Sequence, residues 1–124
     1  DMVNFGPKST VPEQFRTRNL YVHNPNVTLM RTTPEENAEL GRQIAEKLNA
    51  ATGPVALYLP RRGVSLIATE GQPFHDADAD SALYDAILAN IGPNVEVHDL
   101  DLAINDEQFA TAMADRLHEL IASR

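Results

Sequence analysis

The run Val55-Ala56-Leu57-Tyr58-Leu59 constrains this chain more than any other feature. It is continuously apolar, bounded by Gly53-Pro54 before it and Pro60 after it. Its length suits a strand, and unbroken apolarity suits a strand covered on both faces, as parallel sheets require. A parallel strand needs a crossover connection, and helical patterns flank the run on both sides. The first is signalled by Thr33-Pro34-Glu35-Glu36, where Thr33 can cap, Pro34 takes the first helical position and Glu36 completes a capping box. Ala38, Leu40, Ile44, Ala45 and Leu48 follow at approximately helical spacing. A second helix opens with Asp76, Asp78 and Asp80, carries Leu83, Ala86, Ile87 and Ile91 on one side, and stops at Gly92-Pro93. Val95–Leu100 reads as a further strand, and Asn105 or Asp106 caps a last helix with Phe109, Met113, Leu117, Leu120 and Ile121 as its buried stripe. Met2–Phe5 and Asn19–His23 supply earlier strands, the second broken by Asn24-Pro25-Asn26.

Strand and helix therefore alternate, which predicts the α/β class: a Rossmann-like, three-layer αβα arrangement with a mainly parallel sheet. Residues 1–124 form one unit with no internal boundary. The opening at Asp1, already inside a strand pattern, is read as a sign that the chain belongs to something longer.

Charge and composition exclude several functions. The formal net charge of -8 repels phosphate backbones, so nucleic acid is a poor partner. No cysteine is present, which removes disulfides and thiolate metal sites. No apolar run approaches the roughly 20 residues of a membrane helix, and no basic segment followed by an apolar stretch marks a signal peptide. A cytoplasmic protein is the expectation.

In an open parallel sheet, ligands bind beyond the carboxyl ends of the strands, so the loops there are the place for chemistry. Asn24, Asn26, Thr28, Arg31, Thr32 and Thr33 bring amides, hydroxyls and a guanidinium to a helix N-terminus, an end suited to a phosphate or carboxylate. The plainer alternative has Thr33 only capping, Arg31 pairing with an acid and the asparagines satisfying a turn. Arg61, Arg62, Gly63 and Ser65 form a second candidate, since planar guanidinium forks grip anions. Against it stands a solvated basic turn in which Gly63 only supplies an unusual backbone conformation. For catalysis, His75 and His23 are the candidate proton carriers. Asp76 beside His75 is better read as a helix cap. Metal binding is not expected: Asp76, Asp78 and Asp80 resemble the start of a calcium loop, but Ser81 and Ile87 stand where glycine and glutamate are needed. The chain has no dinucleotide fingerprint, no P-loop and no serine elbow.

The runs Met2–Pro7 and Leu20–Asn37, with Leu59–Ser65, Gly71–Asp76 and Ile104–Asp106, resemble the uncharacterised family labelled Tm-one-like ATP-binding, which contains the tomato mosaic virus resistance protein. The resemblance spans nearly the whole chain. It implies the C-terminal part of the second of two α/β subdomains in a longer protein. It also implies association of the full-length protein with ATP and Mg2+, with the cofactor of this part left open, a homodimer, and packing against the N-terminal portion of the same protein. Three functions stay open from the sequence: a domain binding a nucleotide or small anionic ligand, an enzyme acting on a small carboxylated or phosphorylated metabolite, and a dimerisation or interaction module.

Overall fold

The computed structural model describes residues 1–123. Its strands are β1 (Met2–Phe5), β2 (Leu20–Asn24), β3 (Val27–Arg31), β4 (Val55–Pro60) and β5 (Val95–Leu100). Its helices are α1 (Pro34–Asn49), α2 (Ala77–Asn90) and α3 (Glu107–Ala122). The α/β class is as the sequence predicts, but the parallel pairing is confined to β4 and β5. The first three strands make a separate antiparallel sheet in the order β1-β3-β2.

That sheet corrects the placing of Asn24, Asn26, Thr28 and Arg31 together on a loop beyond a strand end. The Asn24-Pro25-Asn26 turn closes a hairpin, with the Asn24 Oδ1 accepting from the Asn26 N–H at 2.9 Å. Val27–Arg31 then runs back as the central strand, pairing Leu29 with Tyr21 on one side and Met30 with Val3 on the other. Thr28 to Arg31 are all buried, because partners cover both edges and both faces of this strand. Leu29 packs with Ala68 and Phe74, so the loop after β4 folds over the antiparallel sheet.

The parallel pair sits between two helices. On one face Leu57, Leu59 and Val97 meet Leu83, Tyr84 and Ile87 of α2. On the other, Tyr58 lies edge-on to Phe109 of α3 with ring centroids 6.1 Å apart, and its hydroxyl donates to the Ala112 carbonyl at 3.3 Å. This is the expected three-layer arrangement in its smallest form. The α1 helix packs on α2 at Gly41, where a Cβ would lie 2.5 Å from the Leu83 carbonyl oxygen.

Two helix faces differ from their sequence readings. The buried residues of α2 are Ala79, Asp80, Tyr84 and Ile87, because α1 and the sheet cover it from two directions and leave no single apolar stripe. In α3 only Phe109 is buried. Met113, Leu117 and Ile121, expected in the core, are exposed by 37%, 59% and 63%. No helix among the described residues is long and apolar enough to cross a membrane.

Candidate functional site

The carboxyl ends of β4 and β5 lie side by side, and their pairing continues into the loops. Arg61 N–H donates to the Leu100 carbonyl at 2.9 Å, Arg62 N–H to Leu102 at 3.0 Å, and Ile104 N–H to Gly63 at 2.9 Å. Gly63 has φ +145°, and a Cβ there would stand 2.8 Å from the Thr69 Cγ2. Only glycine fits this turn, which fixes where the two preceding arginines leave the backbone.

Those arginines then part company. Arg61 forks onto Asp99, with Nε–Oδ1 at 2.5 Å and Nη2–Oδ2 at 2.7 Å, and holds its carboxyl below the usual range. The Arg61 guanidinium also lies over the Tyr84 ring, 4.8 Å from its centroid. Tyr84 is buried and donates its hydroxyl to the Pro60 carbonyl at 2.5 Å. Burial pushes that phenol up, so it remains a donor. Arg62, by contrast, is exposed, and its side chain makes no hydrogen bond or ion pair among the described residues.

Arg62 lines a cleft of about 220 Å³ together with Arg61, Glu70, His75, Ser81 and Tyr84. A second cleft of about 210 Å³ shares Arg62 and Glu70 and adds Thr69, Ala103 and Asp106, so those two charged side chains stand between the hollows. The first turn of α2 reaches the first cleft through Ala77, Asp80 and Ser81. Asp76 caps that helix, accepting from the Ala79 N–H at 2.9 Å, as expected. The His75 Nδ1 lies 3.4 Å from the Ala68 carbonyl oxygen. A carbonyl only accepts, so the proton of a neutral ring is assigned to Nδ1 and Nε2 is left with its lone pair.

The other sequence candidates are placed elsewhere. Arg31 is buried and spends its guanidinium inside the protein. Its Nη2 meets the Asp80 Oδ1 at 2.5 Å, Nε donates to the Phe74 carbonyl at 2.8 Å, and longer contacts reach Asp1, Thr32 and Asp76. The structure therefore does not present Arg31 to a ligand; the plainer reading, pairing with an acid, is the one observed. The N-terminus of α1 is likewise occupied. Thr33 Oγ1 accepts from the Glu36 N–H at 3.2 Å, Glu36 Oε2 accepts from the Thr33 N–H at 2.9 Å, and Arg18 forks onto the same carboxylate. Thr32 is buried and hydrogen-bonded to the Asp1 carbonyl. Thr28 is buried with its hydroxyl unpartnered. Asn24 and Asn26 form the exposed hairpin turn. Ser65 donates to the Asp1 carboxylate at 2.6 Å. His23 is exposed on β2, beside Tyr21, and does not line the cleft.

Arg61, Arg62 and His75 are thus brought together, with Gly63 setting their turn, while the hairpin residues are not. Glu70, Ser81 and Tyr84 complete the cleft and were not legible as site residues. Glu70 sits in a turn-like stretch, and Tyr84 belongs to a helix whose two-sided burial hides its orientation. Among the described residues, no three His, Cys, Asp or Glu side chains gather as a metal ion needs.

Comparison with known proteins supports the resemblance read from the sequence. A UPF0261 protein of Clostridium tetani (strain Massachusetts / E88) is 51% identical over 94% of this chain and 29% of its own length. One from Rhizobium meliloti (strain 1021) is 52% identical over 90% of this chain and 29% of its own length. The ToMV resistance protein Tm-1(GCR237) of Solanum lycopersicum is 43% identical over 97% of this chain and 16% of its own length. The chain therefore spans less than a third of the length of these relatives. Residues 1–121 match the C-terminal domain of an uncharacterised protein family, UPF0261, and the chain belongs to that family.

Proposed function

We propose that this domain binds a small ligand through an anionic group, in the cleft at the carboxyl ends of β4 and β5, with Arg62 as the anchor. One observation carries the reading: Arg62 is the only arginine among the described residues whose side chain makes no hydrogen bond. Arg16, Arg18, Arg31, Arg42, Arg61 and Arg116 all make one or more. Its position adds support, since the rim of a parallel βαβ unit is where ligands of α/β proteins bind.

ATP with Mg2+, implied by the family resemblance, fits the residues of this chain poorly. A triphosphate carries up to four charges and needs several donors around it. The cleft offers one unpaired guanidinium for it. One phosphate or carboxylate group is what Arg62 can fork.

A second reading makes the same cleft catalytic, because His75 lines it with Nε2 open to accept a proton. Calorimetric titration of the full-length protein with inorganic phosphate and with short carboxylic acids tests the binding reading. Binding should weaken in Arg62→Ala, and equal affinity in wild type and variant would remove the assignment. Turnover that disappears in His75→Ala, with binding retained, would favour the catalytic reading.

A further inference from the structure

Building on the binding reading above, we propose that the ligand is a zwitterion of amino-acid type, its carboxylate held by Arg62 and its ammonium by Glu70. The charged groups around the first cleft are not equally available. The Asp80 carboxylate is answered by Arg31 at 2.5 Å, and the Arg61 guanidinium by Asp99 at 2.5 Å. Two charges are left over, and they have opposite signs. Arg62 and Glu70 both line the cleft, both are exposed, and neither side chain has a hydrogen-bond or ion-pair partner among the described residues.

They do not neutralise each other either, because no N–O approach within 4.0 Å links them. Both also line the adjoining cleft, so the pair stands as a divided charge at one point of the rim. A ligand with one positive and one negative group satisfies both ends at once. A phosphate ester or a dicarboxylate would meet Arg62 favourably and Glu70 with like-charge repulsion. A simple amine would meet the reverse. The remaining polar groups fit a small polar ligand of this kind. The Ser81 hydroxyl makes no side-chain hydrogen bond among the described residues, and the His75 Nε2 is open, so both offer further hydrogen-bonding contacts. The cleft volume of about 220 Å³ limits the ligand to small molecules.

The test uses the full-length protein, titrated with the standard amino acids, the corresponding acids lacking the amino group, and inorganic phosphate. Wild type should bind an amino acid at least about tenfold more tightly than its amine-free counterpart, as expected for a charged hydrogen bond. Glu70→Gln should erase that preference, and Arg62→Ala should weaken amino acid and amine-free acid alike. If wild type binds amine-free acids or phosphate as well as amino acids, through Arg62, the zwitterion inference is overturned while the anion site stands. If no probe binds in an Arg62-dependent way, the anion site itself is lost and this inference with it. Retained preference in Glu70→Gln also overturns the role given to that residue.

Discussion

Arg31 and Arg62 stand at the carboxyl ends of strands in two different sheets, and their fates are opposite. Arg31 ends the central strand of the antiparallel sheet and is only 3% exposed. It is enclosed by the α2 carboxylate of Asp80 and by carbonyls of the loop before that helix. Arg62 follows the first strand of the parallel pair and is exposed, with no partner for its side chain among the described residues. The residue type is the same and so is the broad setting. What differs is whether a carboxylate from another element arrives with the right geometry. Where it does, the guanidinium ties a strand to a helix; where it does not, the guanidinium stays free for the ligand proposed above.

The largest effect should come from cutting the tie. Arg31→Ala leaves the Asp80 carboxylate uncompensated in a nearly buried position and removes a link between β3 and α2. A loss of about 3–5 kcal/mol is expected from removing one partner of a buried pair. Chemical denaturation followed by a probe in this domain measures it. A change below about 1 kcal/mol, the range of surface pairs, would mean that Arg31 is less enclosed than the structure shows.

Gly63→Ala should come next, and it acts on the other arginine. The substitution forces a side chain onto a φ of +145° and drives its Cβ to 2.8 Å from Thr69. Strain of about 1–3 kcal/mol is expected from such a position. Because the turn also aims Arg62, ligand affinity should fall together with stability. Affinity that survives while stability drops would show that Arg62 does not depend on this turn.

Arg62→Ala sharpens the contrast from the opposite side. With no side-chain partner to lose, stability should change by no more than about 0.5 kcal/mol. Affinity for a carboxylate or phosphate ligand should fall by about tenfold or more. A large stability loss would place Arg62 in the structural class of Arg31.

The same contrast explains what the sequence could disclose. Features set by neighbours in the chain were legible: the Thr33–Glu36 capping box, the Asp76 cap and the apolar run of β4. Features set by distant partners were not. Val27–Arg31 follows a turn signal and reads as part of a loop until β1 and β2 pair with it from both sides. The partner of Arg31 lies 49 residues away, and nothing near either residue announces the pairing. The same distance effect hid the position of Glu70, whose loop joins the rim only after folding back beside Arg62. In α3, helical periodicity correctly marked an apolar stripe but could not say that only Phe109 would be covered. Periodicity reports a face; burial depends on what packs there.

The smallest effect concerns acid, and it separates surface ion pairs from the buried one. Glu36 is held below its usual value of 4.5, first by the Arg18 hydrogen bond and then by the Thr33 N–H. Its folded value lies below its unfolded one. Its contribution is therefore complete above pH 4.5 and is lost as pH falls through the folded value. Asp99 behaves in the same way from 3.8, because Arg61 holds it down, so its loss begins at lower pH. Both carboxylates are more than a third exposed, so solvent screens these pairs and the slopes should be shallow. Melting temperature followed from neutral pH to about pH 3 should fall less steeply in Glu36→Gln than in wild type, beginning from a lower neutral value. Asp99→Asn should leave the onset near pH 4.5 in place and flatten only the later part of the curve. If Glu36→Gln reproduces the wild-type slope, the Arg18–Glu36 fork contributes nothing measurable. The α1 cap would then rest on the Thr33 hydroxyl, which accepts from the Glu36 N–H whatever the state of the carboxylate.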